Sequence, residues 1–458
     1  MKRVLGGAVV LLAVLAGVYG YFETRRERLY RDYIVQGESA LAAADTGKAI
    51  EAFSGAIAVK SDSMLGYLKR GETYRLRGEL ESALRDLRRA ADLDPAAPRT
   101  MEVLGDVNYE LGRFERAAER FQAYVTIDDR SPRIFYKLGL SRYRGGQTTA
   151  ATTALRRAVE LDERFAEAWY LLGLCYRDQQ NAAETLDALK QSVALAPALL
   201  HAREELADVY ARQGRADARI GQLEALLALD PAASREVALG LAYARAGRPD
   251  TAIMTLSRAV ERYPDHPLTY AALGRLWLER AQARGDRVEL NKALEALEEA
   301  VAADQSSATL TLYGRALILA GEQELAQRTL VEAATRMPVD PLAFYYLADV
   351  AQRRGDAAVA RKALIDYEAL EGQQLDERRA NALAIRIADL SLRSGDVRTA
   401  VSFLQRAAAD SADVDLLVRL AEAQLRAGDT AAAGATLTRA LQKDPNHRAA
   451  HALQTRLR

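Results

Sequence analysis

The chain has 458 residues, 49% of them hydrophobic and 28% charged, and its 63 basic and 63 acidic side chains cancel to no net charge. Charges of both signs alternate along the chain, which argues against a nucleic-acid surface, and the apolar content argues against wholesale disorder. The single cysteine, Cys175, excludes an intramolecular disulfide and a four-thiolate metal site.

The first 22 residues differ from the rest of the chain. Residues 4–22 carry no charge and follow Met1, Lys2 and Arg3. As a helix this segment spans about 28 Å, close to the thickness of a bilayer core. We therefore predict a transmembrane anchor at residues 1–22, in contact with the lipid bilayer through residues 4–22, and a juxtamembrane segment at 23–29. A cleaved signal peptide is the alternative.

Basic residues flank both ends of this apolar segment. Lys2 and Arg3 favour an inside N-terminus and export of the rest of the chain, whereas four later arginines favour the opposite orientation: Arg25, Arg26, Arg28 and Arg31. We prefer a periplasmic over a cytoplasmic main domain. The composition, rich in Ala and Arg, leads us to expect a single-pass protein of the bacterial inner membrane.

From residue 30 onward a small residue recurs, at first every 34 residues, as at Gly37, Gly71 and Gly105. The series continues to Ala421 at intervals of 33, 34 or 40. With this residue numbered as position 8, position 20 is Ala in ten of twelve units and position 32 is Pro in six. The twelve predicted units start near residues 30, 64, 98, 132, 166, 200, 233, 267, 307, 341, 381 and 414.

These positions predict two helices in each unit. Positions 4, 7, 8 and 11 fall on one face of a first helix, and positions 20, 24 and 27 on one face of a second. A glycine near position 15, such as Gly78, lets the first helix end in the left-handed conformation, and proline at position 32 stops the second. One hairpin cannot bury its own apolar face, so we expect neighbouring hairpins to stack.

The segment "WYLLGLCY", with Trp169, Leu172, Gly173 and Tyr176, resembles the W-x-x-L-G-x-x-Y signature of the tetratricopeptide repeat, or TPR, family. The resemblance implies an all-α, right-handed superhelical TPR solenoid at residues 30–447, with about twelve helical hairpins and a capping helix at 448–458. Extra residues near 285–291 and 375–380 are expected to lengthen helices or loops. A bend in the solenoid or a docking loop is the alternative.

No catalytic or cofactor motif stands out: the P-loop, H-E-x-x-H and G-x-S-x-G patterns are all missing from the sequence. His447 and His451 have the spacing of two metal ligands on a helix, but we prefer to interpret them as part of a solvated helix face. Cys175 is interpreted as a packed small residue rather than a nucleophile. We therefore predict no enzymatic activity, no cofactor and no metal.

TPR proteins commonly bind other proteins or peptide segments in a concave groove, which positions 2, 5, 9, 12 and 13 face by family resemblance. In units 3 to 5 these positions are largely aromatic, apolar or basic, the composition of an interaction hot spot. The alternative is that these side chains only pack against adjacent first helices. The predicted partner-binding residues are Tyr109, Arg133, Tyr136, Leu140, Tyr143, Arg144, Tyr170, Leu174 and Arg177. A poorer candidate consists of Leu342, Tyr345 and Tyr346.

Position 9 is acidic in seven units, which suggests a groove for basic peptides. Four of these acids have an arginine four residues later, so we prefer a self-neutralised row: the arginines are Arg212, Arg353, Arg393 and Arg426. TPR receptors for chaperone tails carry Lys and Asn where unit 1 has Ile34 and Glu38. A function as a receptor for chaperone tails is therefore disfavoured.

These patterns together predict a membrane-anchored scaffold or adaptor that binds partner proteins and no nucleic acid. We expect it to act in bacterial envelope assembly or export, as part of pilus, polysaccharide or secretion machinery. The alternative is a cytoplasm-facing TPR regulator that recruits an enzyme or protease to the inner membrane.

Overall fold

The computed structural model describes residues 2–409 and 413–457, with side chains from residue 14 onward. Over these residues all regular structure is helical, with 25 α-helices and one short 3₁₀ helix. The chain divides into two compact units, Met1–Gly214 and Arg215–Arg458. Each unit is a stack of helical hairpins.

In the N-terminal unit every helix packs on the next one in sequence. Its helices are α1 (Lys2–Ala42), α2 (Thr46–Val59), α3 (Met64–Leu76), α4 (Leu80–Leu93), α5 (Pro98–Glu110), α6 (Phe114–Ile127), α7 (Pro132–Arg144), α8 (Thr148–Leu161), α9 (Ala166–Asp178), α10 (Ala182–Leu195) and α11 (Leu200–Arg212).

The C-terminal unit follows the same order of contacts. Its helices are α12 (Ala216–Leu229), α13 (Ala233–Arg245), α14 (Pro249–Arg262), α15 (Pro267–Arg284), α16 (Arg287–Ala303), α17 (Ser307–Ala320), α18 (Gln323–Ala333), α19 (Pro341–Arg353), α20 (Ala357–Glu371), the 3₁₀ helix Gly372–Gln374, α21 (Glu377–Arg393), α22 (Val397–Ala407), α23 (Val414–Arg426), α24 (Thr430–Lys443) and α25 (Arg448–Leu457).

Glycine at position 8 allows the two helices of a hairpin to approach closely. A Cβ atom added to Gly105 would lie 2.6 Å from the ring of Phe121, which is position 24 of the same hairpin. At Gly139 the corresponding atom would lie 2.6 Å from Leu155. The large residue at position 24 therefore occupies the space that the missing side chain leaves.

The turns between the helices of each hairpin use the left-handed backbone conformation. Gly78 has a φ of 78°, and the N–H groups of Gly78 and Glu79 donate to the carbonyls of Arg75 and Tyr74, each at 2.9 Å. These bonds satisfy carbonyls at the end of α3. Ala44 and Gln180 adopt the same conformation without being glycines, at φ values of 57° and 62°.

The extra residues near 285–291 lengthen helices rather than form a long loop. Helix α15 has 18 residues and α16 has 17, and only Gly285 and Asp286 separate them. Gly285 ends α15 with a φ of 68°, and the Asp286 side chain accepts hydrogen bonds from the first turn of α16. Of the extra residues near 375–380, Leu375 and Asp376 follow the 3₁₀ helix, and residues 377–380 form the start of α21, which has 17 residues.

The last helix, α25, packs on α24 and α23. Ala450 and Leu453 are buried in the same apolar cluster as Leu437, whereas Arg448 and Arg456 are exposed. One face of this helix therefore covers the apolar surface of the preceding hairpin.

The structure contradicts the predicted N-terminal transmembrane helix. Among the residues whose placement is described, no helix combines the length and the apolar character needed to cross a bilayer, which takes about 20 apolar residues. Contact with lipid through residues 4–22 is likewise not shown. Residues 1–13, on which much of that prediction falls, lie outside the residues with described side chains.

Candidate functional site

The nine residues predicted to bind a partner lie on the first helices of three successive hairpins in the N-terminal unit. Tyr109 is on α5, and Tyr170, Leu174 and Arg177 are on α9. The other five residues are on α7: Arg133, Tyr136, Leu140, Tyr143 and Arg144. Tyr136, Leu140, Tyr143 and Leu174 pack on one apolar core cluster, and Tyr109 packs on the adjacent one. The stacking of α5, α7 and α9 thus brings the predicted aromatic residues onto one continuous face.

All four tyrosines of this face are half-buried. The ring of Tyr136 lies 5.0 Å from that of Phe165, and the ring of Tyr109 lies 5.3 Å from that of Phe114. Part of each of these two rings therefore packs within the chain. The remaining surface of each ring is open to solvent.

Tyr143 is held by a polar partner that the sequence analysis did not identify. Its hydroxyl donates a hydrogen bond of 2.8 Å to Asp178 on the next first helix. Burial, together with this bond to a carboxylate, raises the pKa of Tyr143 to about 12. Asp178 also accepts from Arg177 at 2.9 Å, and Arg177 reaches Glu205 at 2.7 Å. Tyr143 is thereby fixed in one orientation.

The three predicted arginines differ in their environment. Arg177 is half-buried and ion-paired, as described above. The side chain of Arg133 is 71% exposed and lies 3.9 Å from Glu102, and Arg144 is exposed. Only Arg133 and Arg144 are therefore accessible at the rim of the aromatic face, while Arg177 positions neighbouring side chains.

A cavity of about 210 Å³ lies between α3, α5 and α7 at one end of this face. Three of the predicted residues, Tyr109, Tyr136 and Leu140, line it. The sequence analysis missed the other residues of the lining, which are Arg75, Asp106, Glu110, Phe121, Lys137 and Ser141. Arg75, Asp106 and Glu110 lie 34 residues before Tyr109, Leu140 and Arg144, and this spacing of one repeat was the available signal.

Acidic side chains on the first helices are neutralised chiefly by the next hairpin. Glu102 binds Lys137 at 2.8 Å as well as Arg99 at 3.0 Å. Burial alone would raise the pKa of Glu102, but hydrogen bonds and charge from Lys137 and Arg99 outweigh it and hold that pKa below its ordinary value. Glu102 is at position 5 of its repeat, outside the predicted row of position-9 acids, and it is neutralised by its own helix and the next hairpin together.

The pairing predicted within single helices is weaker than the pairing between hairpins. Asp349 lies 3.7 Å from Arg353, its predicted partner four residues on, but 2.6 Å from Arg386 on the next first helix. Asp389 similarly pairs with Arg419. A long basic side chain reaches across to the adjacent first helix, and this contact, unlike an exposed pair on one helix, also joins two hairpins.

In the candidate of the C-terminal unit, which consists of Leu342, Tyr345 and Tyr346, both tyrosines contact arginines of the same chain. The guanidinium of Arg386 lies 5.5 Å from the ring of Tyr345, and that of Arg315 lies 5.8 Å from the ring of Tyr346. Leu342 is 44% exposed. Cation–π contacts within the chain thus already cover part of these rings.

Groups with possible chemical reactivity are engaged in structural contacts. Cys175 is fully buried, and burial raises the pKa of its thiol to about 12, which suppresses the thiolate. Nε2 of His447 lies 3.0 Å from Asp415, and Nε2 of His451 lies 2.8 Å from the carbonyl of Pro445. Within the described part of the chain no group of three or more metal-ligating residues is arranged to hold a metal ion.

A stack of two-helix hairpins with a small residue at each crossing defines a class of helical repeat proteins. Sequence models of the tetratricopeptide repeat match residues 34–98, 68–132 and 136–199, residues 235–276, and residues 391–457. Together these matches cover more than half of the chain. The chain therefore belongs to the tetratricopeptide-repeat family, whose members are in general protein-interaction scaffolds.

Comparison with individual proteins gives similarities over parts of the chain. Small glutamine-rich tetratricopeptide repeat-containing protein 2 of Mycosarcoma maydis is 31% identical over 87 residues, which are 19% of this chain and 25% of that protein. This chain thus spans about a quarter of the length of that curated relative.

Comparison with solved structures gives similarities of low TM-score. A tetratricopeptide repeat protein from Parabacteroides merdae is 16% identical, with 60% of this chain and 99% of that chain covered and a TM-score of 0.41. YrrB, described as a TPR protein with an unusual peptide-binding site, is 24% identical, with 40% and 94% covered and a TM-score of 0.36.

Proposed function

We propose that this protein is a scaffold that holds a segment of a partner protein along α5, α7 and α9. The observation that carries the proposal is the continuous face of half-buried tyrosines on these three first helices, with exposed arginines at its rim. Aromatic and arginine side chains dominate the energetics of protein interfaces. A rigid aromatic ring loses little conformational entropy when a partner covers it.

The contacts of Tyr143 support the same proposal. Its bond to Asp178 and the ion pairs of Arg177 hold the aromatic face in place before any partner binds. Preorganised side chains avoid the entropic cost of ordering upon association. The binding face therefore requires little rearrangement of the N-terminal unit.

The roles predicted in bacterial envelope assembly or export, the bacterial envelope location and the alternative role in recruiting an enzyme or protease stay predictions from the sequence. They concern the identity of the partner and the cell compartment. The aromatic face supports protein binding in general.

The test is to replace Tyr136, Tyr143 and Tyr170 with alanine and to measure partner recovery by affinity purification and mass spectrometry from the source cells. We expect recovery to fall by at least about tenfold, because central aromatic residues of an interface often contribute 2 kcal/mol or more. A matched variant removes three half-buried tyrosines of the C-terminal unit: Tyr243, Tyr313 and Tyr367.

Alanine substitution also removes packing against Phe165, so circular dichroism must show that helicity is retained. A second measurement avoids this difficulty. A photo-crosslinking phenylalanine analogue in place of Tyr170 should form adducts with the partner, and the same analogue in place of Tyr243 should not. Unchanged recovery with the triple variant, or equal crosslinking from both positions, would refute the proposed face.

A further inference from the structure

The cavity between α3, α5 and α7 has the size of one apolar side chain. Its volume is about 210 Å³, and a cavity of about 150 Å³ in another protein is large enough for benzene. Phe121, which is 1% exposed, lines it together with Tyr109, Tyr136 and Leu140. A phenyl ring or a branched aliphatic side chain would fit among these residues.

The charged residues of the cavity lining are already paired with one another. Arg75 contacts Asp106 at 3.0 Å and Glu110 at 2.7 Å. Lys137 contacts Asp106 at 2.8 Å, and its ammonium group lies 5.7 Å from the ring of Phe121. Two basic and two acidic side chains therefore cancel around the opening. An incoming charge would have to compete with ion pairs that are in place.

The hydroxyl of Ser141, which also lines the cavity, is satisfied within the chain. The hydroxyl of Ser141 donates to the carbonyl of Lys137 at 2.8 Å, and Ser141 is fully buried. The lining thus combines apolar side chains with charged side chains that neutralise one another. This combination favours shape and apolar burial over ionic attraction as the basis of recognition.

We propose that this cavity is the anchor pocket of the binding face and that it takes one uncharged aromatic or branched aliphatic side chain of the partner segment. The inference rests on the proposed function, and it adds the chemical class of the partner. The pocket selects one apolar residue of the partner segment, and the contribution of the pocket to affinity does not depend on the net charge of that segment.

The test uses the full-length chain and a phage-displayed library of short random peptides. Peptides enriched on the chain should share one Phe, Tyr, Leu or Ile without a bias toward acidic or basic residues. Replacing that residue with alanine in the peptide should weaken binding by about tenfold to a hundredfold, the effect of burying one large apolar side chain. Raising the salt concentration from about 0.1 M to about 1 M, which shortens the Debye length from about 10 Å to about 3 Å, should change Kd less than about threefold.

The variant Leu140→Trp tests the cavity itself, because the larger indole fills the space from its wall. We expect it to abolish binding of the enriched peptides. Leu241→Trp is the matched control, since Leu241 is also half-buried at position 9 of its repeat and lies in the C-terminal unit. Circular dichroism verifies that both variants fold.

Three results would overturn the inference: enriched peptides with a charged consensus and salt-sensitive binding, binding that survives Leu140→Trp, or equal loss with Leu241→Trp. Peptides whose binding requires Tyr136, Tyr143 and Tyr170 but tolerates Leu140→Trp would refute the anchor pocket and leave the proposed function intact. Peptides that are unaffected by the triple tyrosine variant, or no enrichment at all, would count against both.

Discussion

Substitution of Gly105 by alanine tests the packing on which each hairpin depends. The new Cβ atom would lie 2.6, 2.7 and 2.9 Å from three ring atoms of Phe121. All three distances are shorter than a normal carbon–carbon contact of about 3.5–4.0 Å. Phe121 is 1% exposed and belongs to the same core cluster as Leu138 and Val125, so its ring relieves the contact only by shifting against these side chains or into the cavity that it lines.

Two effects of opposite sign determine the result. Alanine favours the helix over glycine by about 1 kcal/mol. Overpacking in a close-packed core costs about 1–3 kcal/mol, and the contact with three ring atoms places this case toward the upper end. The expected net destabilisation is about 1–2 kcal/mol, which corresponds to a factor of roughly 5 to 30 in the population of the open form.

Gly434→Ala is the matched control for this substitution. Gly434 lies in the interior of α24, and an added Cβ atom there meets no other atom within 4 Å. Only the propensity effect remains, so this variant should be stabilised by about 0.5–1 kcal/mol.

Hydrogen–deuterium exchange with mass spectrometry is the appropriate assay, because stability in a repeat protein is distributed over local interfaces. Peptides from α5 and α6 should exchange about 5 to 30 times faster in Gly105→Ala, and peptides from α24 should exchange more slowly in Gly434→Ala. Equal protection of α5 and α6 in the wild type and in Gly105→Ala would show that the hairpin tolerates the methyl group and would refute the close-packing argument.

Three further predictions concern charge and backbone conformation. The pKa of Glu102 is lowered in the folded chain, so the stabilising effect of its carboxylate is present above its ordinary pKa of 4.5 and is lost as pH falls through the folded value. Glu102→Gln should therefore lower the urea concentration at the unfolding midpoint at neutral pH. The difference between this variant and the wild type should shrink in acid. Asp178→Asn should lower the pKa of Tyr143 from about 12, as read from the ring carbon shift in a ¹³C-tyrosine NMR titration, while an unchanged pKa would exclude Asp178 as a cause. Gln180→Gly should stabilise α9 and α10 by about 0.5 kcal/mol, since relief of the left-handed strain of about 1–2 kcal/mol exceeds the added entropy cost of glycine; faster exchange in those helices would contradict it.

The sequence predicted the parts of the fold that depend on contacts within one hairpin. The spacing of small residues such as Gly105 and the turn glycines such as Gly78 indicated two helices and a left-handed turn, and the structure contains both. At Gln180 the same turn forms without a glycine. The local pattern lacks the glycine signal there, although the N–H groups of Gln180 and Asn181 donate to the carbonyls of Arg177 and Tyr176 and close the same turn.

The contacts between hairpins were harder to predict. The sequence favoured Arg353 as the partner of Asp349, whereas Arg386 on the next first helix lies closer. The cavity lining likewise combines Arg75 with Phe121 and Leu140, which come from three different hairpins. Such combinations depend on the rotation of one hairpin on the next, and a repeat pattern fixes the order of the hairpins but leaves that rotation open.

The same ion pairs that shape the cavity also join its three first helices. Asp106 on α5 binds Arg75 on α3 and Lys137 on α7, so the opening keeps its shape only while these helices remain stacked. A partner side chain in the cavity therefore binds the stacked form and not an opened one, and by mass action it stabilises the stack by an amount that grows with its concentration over Kd. At a hundredfold excess over Kd the gain is about 2.7 kcal/mol. Occupation of the cavity should thus protect α3, α5 and α7 from hydrogen exchange together, although the cavity is lined by only part of each helix.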